Sequence, residues 1–379
     1  MFVIIHQLYE SDEFQGLTEN SNWNLIYLFQ MKAIKITKLL SGFNWNCTKI
    51  TSNAFHQFVG KDFLTLKDFS KDEIYHLIWT AADLKQRYKI NKELDFKPLN
   101  GKSIAMIFQK LSTRTRLSAE TGFALMGAHP CFLSSQDIHL GKNETIEDTA
   151  KVLSKFNDAI LARVYEHMDL NTLATYASVP VINGLSNSYH PLQLLADILT
   201  LQEHYGHVKG LNVAWIGDGN NNMTHSYIVA CGKLGLNLKI ASPKSYEPDS
   251  NVVNYGRELF EKNNCKLVLT TNPVEAVHNS EVVVTDTFVS MGRETENLIR
   301  LRDFTGYQVD KNLVSIASPN WCFLHCLPRK PDEVSDEVFY DKNRSLVWNE
   351  AENRKWTVMA VLVNLLSDYA PQLPKPNFE

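Results

Sequence analysis

Short β-rich runs alternate with helical patterns along most of this chain, in two successive series, and this alternation restricts the fold more than any other feature. The first series has apolar β-type runs at residues 103–108 (SIAMIF), 159–164 and 179–182, with a helical pattern at 117–126. A longer helix follows, opened by Pro191, with Leu192, Leu195, Ala196 and Leu199 on one face. The second series begins at Leu211, with strands expected at 212–216, 238–241, 266–269, 281–285 and 322–325. Trp356, Met359, Ala360 and Val363 mark a last amphipathic helix before a proline-bearing tail. Such alternation predicts parallel sheets covered by helices. The expected fold is α/β, with two domains, each a parallel sheet flanked by helices, linked by interdomain helices. The expected boundaries are a leader at 1–61, a first domain at 62–200 and a second at 201–349. A C-terminal helix at 350–370 is expected to pack back on the first domain.

Ligands of open parallel sheets gather beyond the carboxyl ends of the strands, so the residues just after each run carry the functional information. After the first run come Ser112, Thr113, Arg114, Thr115 and Arg116, at the start of a helical pattern. Free N–H groups and the helix dipole favour an anion there, and guanidinium forks match phosphate oxygens. A single Ser or Arg would be an ordinary cap, whereas five such residues in a row form an anion loop. Arg163 ends the second run, and His190 and Gln193 open the helix that follows. Cations for a phosphate, with His, Arg and Gln donors for a polarised oxygen, are what a phosphate-activated carbonyl needs.

Three runs now stand together: 112–116 (STRTR), 190–193 (HPLQ) and 325–329 (HCLPR). With them the sequence resembles the transcarbamylase family from about Asp62 to its end, and Asp286 followed by Ser290-Met291-Gly292 resembles that family's ornithine branch. The resemblance implies that carbamoyl phosphate is held by Ser112, Thr113, Arg114 and Thr115 with Arg163, His190 and Gln193. Cys326, Leu327 and Arg354 would close the site, Leu327 through its carbonyl. His139 resembles the residue that a neighbouring subunit lends to the phosphate, which implies a homotrimer with sites at subunit interfaces. L-Ornithine would be bound by Asn221 or Asn222, Asp286, Ser290 and Met291, with Leu185 lining the pocket. Arg114, Arg163, His190 and Cys326 would act in the chemistry, without cofactor or metal. Two departures stand out. The run Asn220-Asn221-Asn222-Met223 is one residue longer than the family pattern, which leaves Asn221 and Asn222 as alternatives. Gln109 and Leu111 stand where the family usually has Glu and a more polar residue.

Composition excludes several other classes. A net charge of -4 argues against nucleic acid as a main partner. Six scattered cysteines suit a reducing compartment, and Cys322 and Cys326 lack the further ligands of a structural zinc site. No apolar run reaches the ~20 residues that span a bilayer. The Gly217-Asp218-Gly219 turn lacks the third glycine of a dinucleotide fingerprint. His204, His207 and His225 read as surface or packing residues. Residues 31–61 contain five lysines and no acid among apolar and hydroxylated residues, which reads as a mitochondrial transit segment directing the chain to the matrix. Met31 is then the effective start and residues 1–30 are extra. Mass spectrometry of the mature N-terminus tests this; a mature chain beginning at Met1 would refute it. Other readings are a transcarbamylase for another amine, a Cys–His hydrolase using Cys326 and His325, and a catalytically silent structural or regulatory homologue.

Overall fold

The computed structural model describes residues 58–136, 138, 144–289 and 297–379, all within one unit, Phe55–Glu379. Residues 1–57 of the expected leader lie outside the described residues; residues 58–61 are described, and Phe58 is buried in the core. Helix α1 (Lys71–Lys85) precedes the first sheet series: β1 (Ser103–Phe108), α2 (Thr113–Leu125), β2 (His129–Ser134), α3 (Ile146–Phe156), β3 (Ala159–Arg163), α4 (His167–Tyr176) and β4 (Val181–Leu185). Helix α5 (Pro191–Tyr205) leads to β5 (Asn212–Ile216), α6 (Asn222–Leu234), β6 (Asn237–Ala241), α7 (Ser250–Lys262), β7 (Leu267–Thr270), α8 (Pro273–Val277) and β8 (Val282–Thr285). Then come α9 (Asn297–Asp303), α10 (Lys311–Val314), β9 (Cys322–His325), α11 (Asp336–Phe339) and α12 (Val347–Leu366). The four-stranded sheet has the order β2-β1-β3-β4 and the five-stranded sheet β7-β6-β5-β8-β9, with every pair parallel.

Burial on both faces explains why the central strands read as continuous apolar runs: β3, β8 and β9 are buried along their whole length. Polar side chains close the helix ends. Ser70 and Glu73 form a reciprocal capping box on α1, Ser112 accepts from Thr115 N at the start of α2, and Asn221 caps α6. Gly206 and Gly235 end α5 and α6 in the left-handed conformation, at φ 78° and 80°. Helix α12 packs against α5, α1 and α2, so the end of the chain returns to the first-sheet half.

The strand order places a switch point in each sheet. The chain leaves β1 for β2 on one side and returns to β3 on the other; likewise it leaves β5 for β6 and returns to β8. The loops beyond β1 and β3, and beyond β5 and β8, are where a ligand crevice forms.

Several boundaries differ from the sequence expectation. Helix α2 starts at Thr113, at the anion loop expected to open it and ahead of the apolar periodicity at 117–126, with Ser112 as its cap. Strand β4 runs Val181–Leu185 instead of 179–182, since Pro180 has no N–H to give the ladder. Strand β2 was not expected: it carries Pro130, lies at the sheet edge and is only partly buried, so its apolar signal is weak. Among the described residues no helix is long and apolar enough to cross a membrane.

Candidate active site

One cavity lies beyond the carboxyl ends of both sheets. It is lined by Ser112, Thr113, Arg114, Thr115 and Arg163 from one side, and by Asp286, Cys326 and Leu327 from the other. Leu185, His190, Gln193, Asn222 and Arg354 complete the predicted residues found there. His139, Ser290 and Met291 lie outside the described residues. Sequence reasoning did not name Lys330, Met223, Thr287 or Val289 as site residues, yet all four line the cavity. Lys330 follows directly on the 325–329 run, and its proximity to that run was the available signal.

Three arginines crowd the first side. Arg163, at the end of β3, is buried and donates from Nε to Lys110 O at 3.2 Å. Burial, then the charges of Arg354 and Arg114, hold its pKa down to about 9. Arg354 on α12 donates from one terminal nitrogen to Gln193 Oε1 at 2.6 Å and from the other to Thr115 Oγ1 at 3.1 Å. Burial and Arg114 lower it to about 10. Cations withdrawn from water and repelling one another form a site that a bound polyanion relaxes. Arg114 reaches across to the second side and donates to Leu327 O.

His190 is buried at the start of α5, 3.4 Å from Arg354 through Nε2. Its Nδ1 has no partner among the described residues. Burial first, and the three arginines second, push its pKa well below the ordinary value, so the ring is neutral at pH 7. A neutral imidazole beside an anion site is a hydrogen-bonding group rather than a further cation.

The second side is built on β8 and β9. Cys326 Sγ donates to Asp286 Oδ1 at 3.1 Å. Burial raises the thiol well above its usual pKa, and the Asp286 carboxylate raises it further. His325 cannot serve as its base. Nδ1 accepts from Leu327 N at 2.9 Å, so Nε2 carries the proton and faces Glu333 Oε2 at 3.1 Å. A protonated thiol without a base does not fit the Cys–His hydrolase reading. Asp286, His325 and Cys326 do bring one ligand atom each within 4.8 Å of one another. Both ring nitrogens are already engaged and the thiol keeps its proton, so the set fits a metal poorly. The same ring holds Leu327 at φ 61°, a conformation rare for leucine, and turns its carbonyl toward Arg114.

The two asparagines separate clearly. Asn221 Oδ1 accepts from Thr224 N at 2.8 Å and does not line the cavity. Asn222 lines it and donates to Ser186 O at 2.6 Å. Nearby, the Gly217-Asp218-Gly219 turn is filled from within. Asp218 is buried against Arg300 at 2.7 Å and accepts from Asn220 N at 2.9 Å. At Gly219 a Cβ would lie 2.6 Å from Tyr246 O. Gly219→Ala should therefore cost about 1–3 kcal/mol in a denaturant melt; an unchanged midpoint would mean that the turn yields freely. Gln109, one of the departures from the family pattern, accepts from Tyr165 N at 2.8 Å and hydrogen-bonds the Asp169 carboxyl, a structural role. Leu111 stands exposed at the cavity wall.

A polyanion cradle at one switch point thus faces a carboxylate and a neutral thiol at the other, the arrangement of an enzyme that joins a phosphorylated donor to a cationic acceptor. By comparison with known proteins, residues 61–203 match the carbamoyl-P binding domain and residues 209–365 the Asp/Orn binding domain of aspartate/ornithine carbamoyltransferase. The chain is 56% identical over 328 residues to the mitochondrial ornithine carbamoyltransferase of Aquarana catesbeiana, covering 86% of this chain and 93% of that one. It is 58% identical over 320 residues to the mitochondrial ornithine transcarbamylase of Gallus gallus, covering 84% and 89%. The ornithine carbamoyltransferase structure from Pyrococcus furiosus superposes with a TM-score of 0.78 at 44% identity, over 82% of this chain and 98% of that one. The chain belongs to the aspartate/ornithine carbamoyltransferase family.

Proposed function

We infer that this chain transfers the carbamoyl group of carbamoyl phosphate to the δ-amine of L-ornithine, giving L-citrulline and phosphate, the reaction of arginine biosynthesis and the urea cycle. The carrying observation is Asp286, an anion with a thiol partner, across one cavity from three arginines. The first domain, 62–200, takes carbamoyl phosphate and the second, 201–349, takes ornithine. Ser112, Thr113, Arg114 and Thr115 hold the phosphate with Arg354. Arg163 and His190 face the carbonyl oxygen and stabilise it as the tetrahedral intermediate forms. Gln193 orients Arg354, and Leu327 acts through its carbonyl. Asp286 takes the α-ammonium of ornithine, with Asn222, Ser290, Met291 and Leu185 around the rest of the chain. Cys326 keeps its proton and presents a soft polar wall to the incoming amine.

No covalent intermediate is needed. The nucleophile is a primary amine with an unperturbed pKa resembling that of Lys, about 10.4, and only its neutral form attacks. The protein supplies two substrates held together, an oxyanion site and a stabilised leaving phosphate. The ratio kcat/KM for ornithine should therefore rise by about tenfold per unit between pH 6 and 8, as the neutral amine fraction grows. A flat profile over that range would show that deprotonation is not required.

The reading extends to a homotrimer in the mitochondrial matrix, in which His139 of one subunit reaches the phosphate of the next. The mitochondrial names of the frog and chicken relatives support the compartment. Light scattering on the purified chain checks the trimer; a monomer of full activity would refute it. The deciding experiment gives the purified full chain carbamoyl phosphate with ornithine, aspartate or putrescine. Citrulline from ornithine alone is the expected result. Preference for another amine would overturn the role of Asp286, and no product from folded protein would favour the silent homologue.

A further inference from the structure

Beneath the cavity floor lie two carboxyl groups that the proposed reaction does not use. Asp197 on α5 and Glu350 on α12 are each 1% exposed. Gln193 Nε2 donates to both, to Asp197 Oδ1 at 2.9 Å and to Glu350 Oε1 at 2.7 Å. Both amide protons are thereby committed, and Gln193 Oε1 is left facing the Arg354 guanidinium at 2.6 Å. The other carboxyl oxygens reach the second-sheet half. Glu350 Oε2 accepts from His325 N at 2.9 Å, and Asp197 Oδ2 accepts from Tyr227 OH at 2.8 Å.

This arrangement has a directional consequence. An isolated buried glutamine can turn its amide over; one whose N–H groups both meet carboxyl oxygens cannot. Glu350 therefore acts on two places at once. Through Gln193 it sets the oxygen that orients Arg354, and through His325 N it ties down the root of the turn carrying Cys326 and Leu327.

We propose that Glu350, paired with Asp197, is a positioning residue that couples the anion half of the site to the amine half. Burial pushes both carboxyls up, Asp197 to about 6 and Glu350 well above its ordinary value, with Asp197 adding to the shift of Glu350. A proton shared between the two carboxyls is thereby favoured over two separate charges. That state satisfies the buried oxygens without leaving two bare charges in the interior.

The proposal rests on the carbamoyl transfer reading, and the test separates the two. Wild-type citrulline formation is measured first, and its absence would condemn the reading itself. Glu350→Ala should lower kcat/KM for carbamoyl phosphate by about tenfold or more. In a Gln193→Ala background the same change should alter that ratio by less than about threefold, because residues acting through one contact are not additive. It should still lower kcat/KM for ornithine in that background, since His325 N loses its acceptor in either case. Glu350→Gln, which keeps an acceptor for His325 N, should recover much of the ornithine loss. If the alanine variant does not fold, the glutamine variant carries the same paired comparison. Fully additive losses for carbamoyl phosphate, or wild-type values in every Glu350 variant, would overturn the positioning role.

Discussion

Replacing Arg163 by alanine should lower kcat by two to three orders of magnitude, because one oxyanion donor typically contributes about 2.7–4 kcal/mol. The residue ends β3 at the switch point of the first sheet and lines the cavity. Its Nε is anchored on Lys110 O, which leaves the terminal nitrogens of the fork for substrate. Arg163→Lys should not restore the rate, since an ammonium lacks both the anchor geometry and the planar fork. The loss is expected without a loss of stability. Burial and two neighbouring arginines hold the Arg163 pKa down to about 9, so the charged form is disfavoured by the fold. The folded pKa lies below the unfolded one, so this group's contribution worsens as pH falls through the alkaline range and stays unfavourable at neutral pH. Arg163→Ala should therefore melt at the same temperature as the wild type or higher in phosphate-free buffer. Rates by citrulline assay and melts by calorimetry check the two halves. A variant within about threefold of wild-type kcat would remove Arg163 from the oxyanion role.

Asp286→Asn should lower kcat/KM for ornithine by about two orders of magnitude or more, since removing one partner of a desolvated charge pair costs about 2–5 kcal/mol. The KM for carbamoyl phosphate should move little, because Asp286 directly follows β8 of the second sheet while the arginines come from elsewhere. Asparagine keeps an oxygen for the Cys326 thiol, so the substitution isolates the charge. Burial raises the Asp286 pKa, with His325 and Cys326 opposing. A raised carboxylate means that the native state favours the proton. Its stabilising contribution is present below the unfolded pKa and is lost as pH rises through the folded one. The asparagine variant, with no charge to bury, should be at least as stable as the wild type at pH 7.5. Equal damage to both substrates would refute the division of the site into two halves.

Much of this site can be read in the linear chain because its parts sit where an α/β chain keeps them. The anion loop follows the most strongly apolar run and opens a helix, and Arg163 and Asp286 each sit at or just past the end of a strand. Local rules suffice for that: a strand-length apolar run, a capping serine and helical spacing. They failed at β2, where Pro130 and an edge position weaken the apolar signal. At α2 the apolar periodicity alone begins a turn late, and the polar anion loop, with Ser112 as cap, marks the start.

Other features depend on residues far apart in sequence. Asn221 and Asn222 are chemically equivalent on paper; only the position of the α6 cap turns one inward to Thr224 and the other toward the cavity. The His325-Cys326 pair resembles a nucleophile and its base until the fold places Glu333 and Leu327 N on the two ring nitrogens. Glu350 carried no sequence signal at all: its meaning comes from Gln193 and Asp197, about one hundred and fifty positions earlier, and from the backbone N–H of His325 at the end of β9. By itself the sequence determined the alternating elements, the anion loop and the chemistry available at each strand end, because these follow from local periodicity and residue type. The tertiary structure decided which groups keep their protons, which polar atoms are already engaged and how the two halves are joined. Those properties arise from burial and from hydrogen bonds between distant residues, and no local pattern encodes them.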